Sequence, residues 1–249
     1  MRAGERIAFL GATRGMGRSL ARRLAERGDR VFVLGRREAD LEKTVQDLAV
    51  RAGRPAEAFA RCDLEDPSTF GPALDAAEEA LGGLDGVVVT AGLFATQERL
   101  EEDAALTARL LQVDFTNTVL FCEEARRRLL ARGGGKLCVF SSVAGERGRK
   151  PVVLYGATKA GLSHYLEGLD VRYRSRGLRV VAVKPGFVKT SMTEGLSPPP
   201  FAGEPDGVAA RVLAAWDAER PEVYAPIAWG PIMAVIRSLP RAVLRRVSF

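Results

Sequence analysis

The sequence predicts an α/β domain built on a doubly wound parallel sheet with helices on both faces. Three observations carry that reading. Short apolar runs alternate with longer stretches of helical spacing. The runs lack the inside–outside alternation of a half-exposed strand, so both sheet faces need cover. A glycine-rich turn, GATRGMG, follows the first run, where sheets of this kind hold a nucleotide.

The elements follow in order. Ile7–Leu10 reads as the first strand, with a helix after the glycine turn to about Gly28. Val31–Leu34 is the second strand. Glu38 to Arg51 has helical spacing, with Leu41, Val45 and Leu48 on one side. Ala56–Arg61 is a third strand, weaker in pattern. Pro67 opens a helix that ends near Gly82–Gly83. Val87–Thr90 is the fourth strand, and helical spacing then runs from about Glu98 to Ala131, open to interruption. GGGK turns into the strand Leu137–Ser141. Val153 to Arg174 suits a helix, and Arg179–Val183 is a β-branched strand ended by Pro185–Gly186. The proline-rich stretch from Glu194 to Asp206 reads as a substrate-side loop, because too little chain follows it for a second domain.

Composition bounds the function. A chain of 249 residues, 47% apolar and 27% charged, suits one folded domain rather than a disordered chain. The charge of +6 suits nucleic acid, anionic membrane or phosphorylated ligands. No nucleic-acid motif is present and the arginines are spread, so no nucleic-acid partner is expected. Cys62, Cys122 and Cys138 are widely spaced and make neither a disulfide framework nor a zinc pattern. With His164 the only histidine, no metal site is expected. The start, MRAGERIAFLGAT, runs straight into the glycine turn and does not read as a signal peptide, so a cytoplasmic location is the default. Ile227 to Ile236 is too short to span a bilayer and contains Gly230 and Pro231.

The first half reads as a cofactor site. Gly11, Gly15 and Gly17 permit a tight turn and close approach of a pyrophosphate to N–H groups at a helix start. Thr13, Arg14 and Met16 lie in the same turn. A carboxylate after the second strand would select NAD. Here Gly35 stands at that position, followed by Arg36 and Arg37. Guanidinium groups suit a 2′-phosphate, so NADP(H) is favoured over NAD(H). Asp63, with Leu64 after it, has two readings: a hydrogen-bond acceptor for adenine, or a cap for the next helix. Thr90, Ala91 and Gly92 are small enough to let a cofactor approach the backbone.

The second half carries chemistry. YGATK places Tyr155 and Lys159 four apart, on one helix face. A phenol with its free pKa of about 10 is a poor acid–base group at neutral pH. A nearby ammonium stabilises the phenolate. Such a pair can give a proton to a ketone oxygen or take one from an alcohol. Ser142, in VFSSVAG, can hold the same oxygen; Ser141 is the weaker choice. His164 reads as structural or interfacial, and Cys138 as core.

The ordered set GATRGMG, CDLED, VVVTAG, FSSVAG, YGATK and KPGFVKT, over about residues 5 to 192, resembles the short-chain dehydrogenase/reductase family. The resemblance implies a Rossmann-type sheet of about seven strands. It implies Tyr155 as acid/base, Lys159 as the residue that binds the nicotinamide ribose and depresses the tyrosine pKa, and Ser142 as the substrate-oxygen serine. It implies Asp63 at adenine, Arg36 at the NADP(H)-preferring position, and Pro185, Gly186, Val188 and Thr190 around the nicotinamide amide, with Thr190 near the carboxamide or the pyrophosphate. It also implies a homodimer or homotetramer associating through long helices. The sequence departs from the family pattern at Leu10, at Thr90 and at Asp114 of VDFTN, where an asparagine usually helps to hold a relay water. An aspartate there can pair with Lys159 but has no amide N–H to donate.

SSVAGERGRKPVVLYGATKAGL and the tail EVYAPIAWGPIMAVIRSLPRAVLRR are similar to decaprenylphosphoryl-2-keto-ribose reductases. That likeness implies reduction of a keto group on a lipid-linked pentose that a partner flavin oxidase supplies. The substrate stays open between this, a 3-ketoacyl or ketosphingoid lipid, and a small soluble ketone. A catalytically weak nucleotide-binding regulator is the rival function, motivated by Asp114. The domain reading is one NADP(H)-binding catalytic domain over residues 1–226, including a substrate loop at 187–205. Residues 227–249 form a basic amphipathic extension. Its arginines, Arg237, Arg241, Arg245 and Arg246, fall among Ile232, Val235, Ile236, Leu239, Val243, Leu244 and Val247, with a break at Pro240. It either packs on the domain or makes peripheral contact with the inner face of the membrane.

Overall fold

The computed structural model describes residues 4–55 and 57–246. Seven strands form one parallel sheet: β1 (Arg6–Leu10), β2 (Arg30–Gly35), β3 (Phe59–Arg61), β4 (Gly86–Val89), β5 (Gly135–Phe140), β6 (Leu178–Pro185) and β7 (Glu222–Ala225). Their order is β3-β2-β1-β4-β5-β6-β7, and every pairing is parallel. The doubly wound parallel sheet with helices on both faces is therefore present, with its seven strands. The order reverses direction between β1 and β4. Crossovers leave those strands to opposite sides, and a crevice opens at their carboxyl ends.

Alternate residues of each strand feed two cores. Ile7 and Phe9 of β1 join one core with α1 (Gly15–Arg27), α2 (Glu38–Ala52) and α8 (Pro205–Asp217). Ala8 and Leu10 join the other with α3 (Phe70–Leu81), α6 (Thr118–Ala131) and α7 (Val153–Tyr173). On α7 the buried Leu162, Leu166 and Leu169 recur at helical spacing and face the sheet.

The differences from the sequence reading are local. The third strand is shorter than expected, Phe59–Arg61, and Ala56 lies outside the described residues. The helical region after β4 is divided into α4 (Gln97–Glu102), α5 (Ala104–Leu111), a π-helical turn at Gln112–Asn117, and α6. Asp103 makes the first break by accepting the Leu106 N–H at 2.9 Å, which caps α5. β7 and α8 lie outside the strands and helices that the sequence pattern marks. Two further helices, α9 (Trp229–Ser238) and α10 (Arg241–Leu244), follow β7 and are parted at Leu239–Pro240. Met233 and Ile236 of α9 are buried with Val143, while Ile227, Val235 and Val243 are exposed. Val247 lies outside the described residues. Among the described residues no helix is long and apolar enough to cross a membrane.

Candidate active site

The crevice forms where β1, β2, β3 and β4 end. Gly11 has φ 102° and Gly15 φ 51°, a backbone region that favours glycine. Gly17 is there for closeness: a Cβ would stand 2.2 Å from the Gly11 carbonyl oxygen and 2.5 Å from Thr90 Oγ1. Thr90 donates to that same Gly11 oxygen at 3.0 Å, which fixes the turn against the end of β4. α1 then starts with no acidic residue in its first turn and no side-chain cap at Arg14. Unmet N–H groups and the positive end of the helix dipole face the crevice, a setting suited to a pyrophosphate. Gly17→Ala is expected to cost about 1–3 kcal/mol through overpacking and to abolish nicotinamide-nucleotide binding. Denaturant unfolding and fluorescence titration check the two effects.

A cleft of about 240 Å³ runs from this turn, lined by Gly11, Thr13, Arg14, Arg36, Asp63 and Leu64, with Ala91 and Gly92 at the end of β4. The sequence had grouped all eight. Arg37 is turned aside and pairs with Asp40 at 2.8 Å. Met16 packs into the α1 side of the core. Val188 is buried in that core too, so only its backbone is available to a ligand. Thr190 stands beside Gly15, where a Cβ would meet its methyl at 3.2 Å. Between Asp63's two readings, the cap is the one to correct. Asp66 caps the next turn by accepting from Ser68 N–H, and Asp63 instead accepts the Glu65 N–H at 3.0 Å.

Glu65 was missed. It accepts from Arg36 at 3.1 Å and binds Arg109 through both carboxylate oxygens at 2.6 and 2.8 Å. Arg14 lies 3.5 Å from Asp40. The three arginines at the end of β2 and in the glycine turn thus share two carboxylates and keep an excess of positive charge.

The chemical group assembles at the other end of the cleft. Ser142 follows β5, and close backbone packing brings its turn onto α7. A Cβ on Gly145 would lie 2.5 Å from Ala160 N, and one on Gly156 2.8 Å from the Ala144 oxygen. Ser141 is committed elsewhere: its hydroxyl donates to the Lys159 carbonyl at 2.9 Å and meets Ser163 Oγ at 2.7 Å. It braces the helix that carries Lys159, whereas Ser142 Oγ accepts the Ala144 N–H at 3.1 Å and donates to the Pro185 carbonyl at 3.4 Å. Tyr155 is half-buried, edge-on to Phe94 with centroids 5.2 Å apart. Lys159 Nζ lies 5.4 Å from the Tyr155 ring centroid.

Asp114 completes the group. The π-turn widens the helix by one residue and aims this side chain inward. Its Oδ1 accepts the Leu93 N–H at 2.6 Å, and its Oδ2 lies 3.2 Å from Lys159 Nζ. Asp114 and Lys159 are both buried. Gly92 faces the pair; a Cβ there would lie 3.2 Å from Asp114 Oδ1 and 3.6 Å from Lys159 Nζ.

This pairing alters the expected electrostatics. Burial pushes the Tyr155 pKa up; Lys159 pulls it down, Asp114 pushes it up again, and Ser142 pulls it down. The net shift is upward. Lys159 therefore acts in the expected sense, but burial and Asp114 outweigh it. Burial also disfavours the Lys159 ammonium, yet Asp114 and Tyr155 together hold its pKa above the ordinary value.

The thiols offer no competing nucleophile. Cys62 borders the cleft, and burial pushes its pKa up to about 12. Cys122 and Cys138 are raised for the same reason. Among the described residues no cluster of three or more potential metal ligands exists.

Residues 5–200 match the family model for short chain dehydrogenases. An uncharacterized oxidoreductase of Mycobacterium tuberculosis is 34% identical over 242 residues, covering 97% of this chain and 96% of that protein. The cis-4-hydroxycyclohexanecarboxylate dehydrogenase of Sinomonas cyclohexanicum is 33% identical over 196 residues, 77% of each chain. Among solved structures, levodione reductase superposes with TM-score 0.82 at 23% identity, covering 92% of this chain and 98% of that one. A short-chain type dehydrogenase/reductase from Mycobacterium ulcerans gives TM-score 0.80 at 24% identity, covering 90% and 89%. The two structures share the fold; together with the family match and the full-length relative, they place the chain among the oxidoreductases of the short-chain dehydrogenase/reductase family.

Proposed function

We propose that this protein reduces a ketone to a secondary alcohol with NADP(H). The observation that carries the reading is the convergence of Tyr155, Lys159 and Asp114 beside Gly92, at the end of a cleft that starts in a glycine turn. The glycine cradle and the cleft fit a dinucleotide. Gly11, Gly15 and the start of α1 would hold its pyrophosphate, Asp63 its adenine, and Arg14 and Arg36 its 2′-phosphate. Pro185, Gly186 and Thr190 would flank the nicotinamide end. The nicotinamide supplies the hydride.

The chain supplies position and a proton. Ser142 and Tyr155 hold the carbonyl oxygen, and Tyr155 gives it the phenolic proton. Lys159 offsets the negative charge left on the phenol. Asp114 keeps Lys159 charged and fixed, and it tempers the pull of Lys159 on Tyr155. The raised Tyr155 pKa keeps the phenol protonated at neutral pH, the form reduction requires. The 2′-phosphate site proposed at Arg14 and Arg36 supports reduction over oxidation. The names of the hydroxycyclohexanecarboxylate dehydrogenase and of levodione reductase support a ketone or secondary alcohol as substrate. Exposed Ile227, Val235 and Val243 beside a basic tail keep a lipid-linked ketone and peripheral membrane contact within the reading. Exposed Leu111, Phe115 and Leu120 suit a homo-oligomer joined through helices.

The cofactor preference is tested at Arg36. Arg36→Ala removes a charge-assisted contact worth about 1.5–3 kcal/mol. It is expected to weaken NADPH roughly tenfold or more and NADH little, by fluorescence titration of both. Equal losses would remove Arg36 from the 2′-phosphate site.

A further inference from the structure

Glu65 borders the cofactor cleft beside Asp63 and Leu64. A carboxylate at this edge opposes a 2′-phosphate, because like charges repel. Two arginines hold it, and they hold it differently. Arg36 gives one hydrogen bond at 3.1 Å, to the oxygen that Arg109 Nη2 takes at 2.6 Å. Arg109 Nε takes the other oxygen at 2.8 Å. The forked pair is the stronger of the two. Arg109 is accordingly the largest cause that holds the Glu65 carboxyl below its ordinary value, and Arg36 adds less. Glu65 is therefore ionised at neutral pH, and its charge is shared unequally.

Both partners of the forked pair stand on one frame. Asn117 Nδ2 donates to the Leu64 carbonyl at 2.6 Å in a buried bond, and Gln112 Nε2 donates to Asn117 Oδ1 at 3.0 Å. These bonds tie the loop that carries Glu65 to the π-turn that follows α5. Arg109 lies in the last turn of α5. Its neighbour Leu110 is buried with Ala95 and Leu100, which fixes the rotation of that helix and the side from which Arg109 reaches out. Asp63, the other carboxylate at this edge, accepts the Glu65 N–H and lies 3.9 Å from Arg61. Arg36 lines the cleft itself, whereas Arg109 reaches Glu65 from α5.

We propose that Arg109 is a positioning residue for cofactor choice: it cancels the charge of Glu65 and so releases Arg36 to the 2′-phosphate. The proposal rests on the NADP(H) reading above and deepens it. When the phosphate arrives, Arg36 exchanges its single bond to Glu65 for forked bonds to phosphate oxygens. Glu65 keeps both bonds to Arg109, so no bare carboxylate is left facing the phosphate. NADH brings no phosphate, and Arg36 then keeps its bond to Glu65. The preference between the cofactors is set by this exchange. Of Arg36, Glu65 and Arg109, Arg36 is the residue that touches the ligand.

The test titrates NADPH and NADH by fluorescence against the full chain and its variants at low salt. Arg109→Gln is expected to weaken NADPH about threefold to tenfold, the scale of one uncompensated charge acting on a nearby dianion at a solvated edge. NADH affinity is expected to hold. Arg109→Lys, which keeps the charge and loses the fork, is expected to fall between. Glu65→Gln is expected to tighten NADPH, and the R109Q/E65Q pair to regain the parent affinity. The Arg109→Gln loss is expected to shrink at about 1 M sodium chloride, where screening acts over about 3 Å. Equal NADPH affinity in the parent and Arg109→Gln would overturn the role. So would a loss that Glu65→Gln does not rescue, as a displaced α5 would give, or weaker NADPH binding by Glu65→Gln alone. Arg36→Ala, titrated alongside, separates the two readings. If it weakens NADPH alone while Arg109→Gln changes nothing, the 2′-phosphate site stands and the role of Arg109 falls. If it weakens both cofactors equally, the 2′-phosphate site falls and takes that role with it.

Discussion

Tyr155→Phe is expected to lower ketone reduction by about 10²- to 10⁴-fold, the usual contribution of a positioned general acid. The ring stays, so its edge contact with Phe94 and the fold around it stay. Only the proton and its oxygen are lost. NADPH affinity should hold, because Gly11, Gly15, Asp63 and Arg36 lie along the cleft away from the phenol. Single-turnover loss of NADPH absorbance, set beside a fluorescence titration, reads both quantities. Retained turnover would take Tyr155 out of the chemistry. Lost affinity with lost turnover would point to a collapsed site instead.

Asp114→Asn is expected to act in two ways. Its first effect is on pH dependence. Asp114 pushes the Tyr155 pKa up, and reduction needs the protonated phenol. Without the carboxylate the phenol loses its proton at lower pH, so the alkaline limb of the reduction profile should move toward neutrality. The oxidation profile should gain activity at lower pH. The second effect is on stability. Lys159 would remain buried without its counter-charge, and breaking one side of a buried pair costs about 3–5 kcal/mol. Asparagine still accepts from the Leu93 N–H, which recovers part of that loss. The folded Lys159 pKa is raised above 10.5. The stabilisation is therefore complete below the unfolded lysine value and is lost as pH rises through the folded one. The stability gap between the two proteins should stay constant across neutral pH and close only in strong alkali. Denaturant unfolding at several pH values checks the gap. An alkaline limb that does not move would contradict the role of Asp114.

The sequence exposes what depends on local rules. GATRGMG announces its turn because glycine adopts the φ of Gly11 and Gly15 at least cost and permits the close approach at Gly17. The inner strands announce themselves because burial on both faces demands continuous apolar runs, whereas the edge strands β3 and β7 are partly exposed and carry a weaker pattern. Tyr155 and Lys159 stand on one helix, so their spacing carries their geometry. What depends on distant partners is hidden. The π-turn that aims Asp114 inward has no local signature; in VDFTN the aspartate departs from a family pattern, but its 3.2 Å contact with Lys159 is made across the fold. The charge balance at Tyr155 therefore could not be read from YGATK alone. Glu65 looked like one more acid in CDLED until Arg36 and Arg109 closed on it. Ser141 and Ser142 are neighbours in sequence, and only the packing of α7 sends Ser141 into a brace on Lys159 and Ser163 while Ser142 caps its own turn at the Ala144 N–H.

The central claim is that Tyr155 protonates a ketone that receives a hydride in this cleft. Reduction of a ketone with NADPH deuterated at C4 tests it most directly, with the label followed by mass spectrometry and NMR. The account predicts deuterium on the carbinol carbon of the product with the parent protein, and almost none with Tyr155→Phe under saturating NADPH. Label on the product in equal yield from both proteins, or no labelled alcohol from the parent with any of a chemically broad set of ketones, would contradict it.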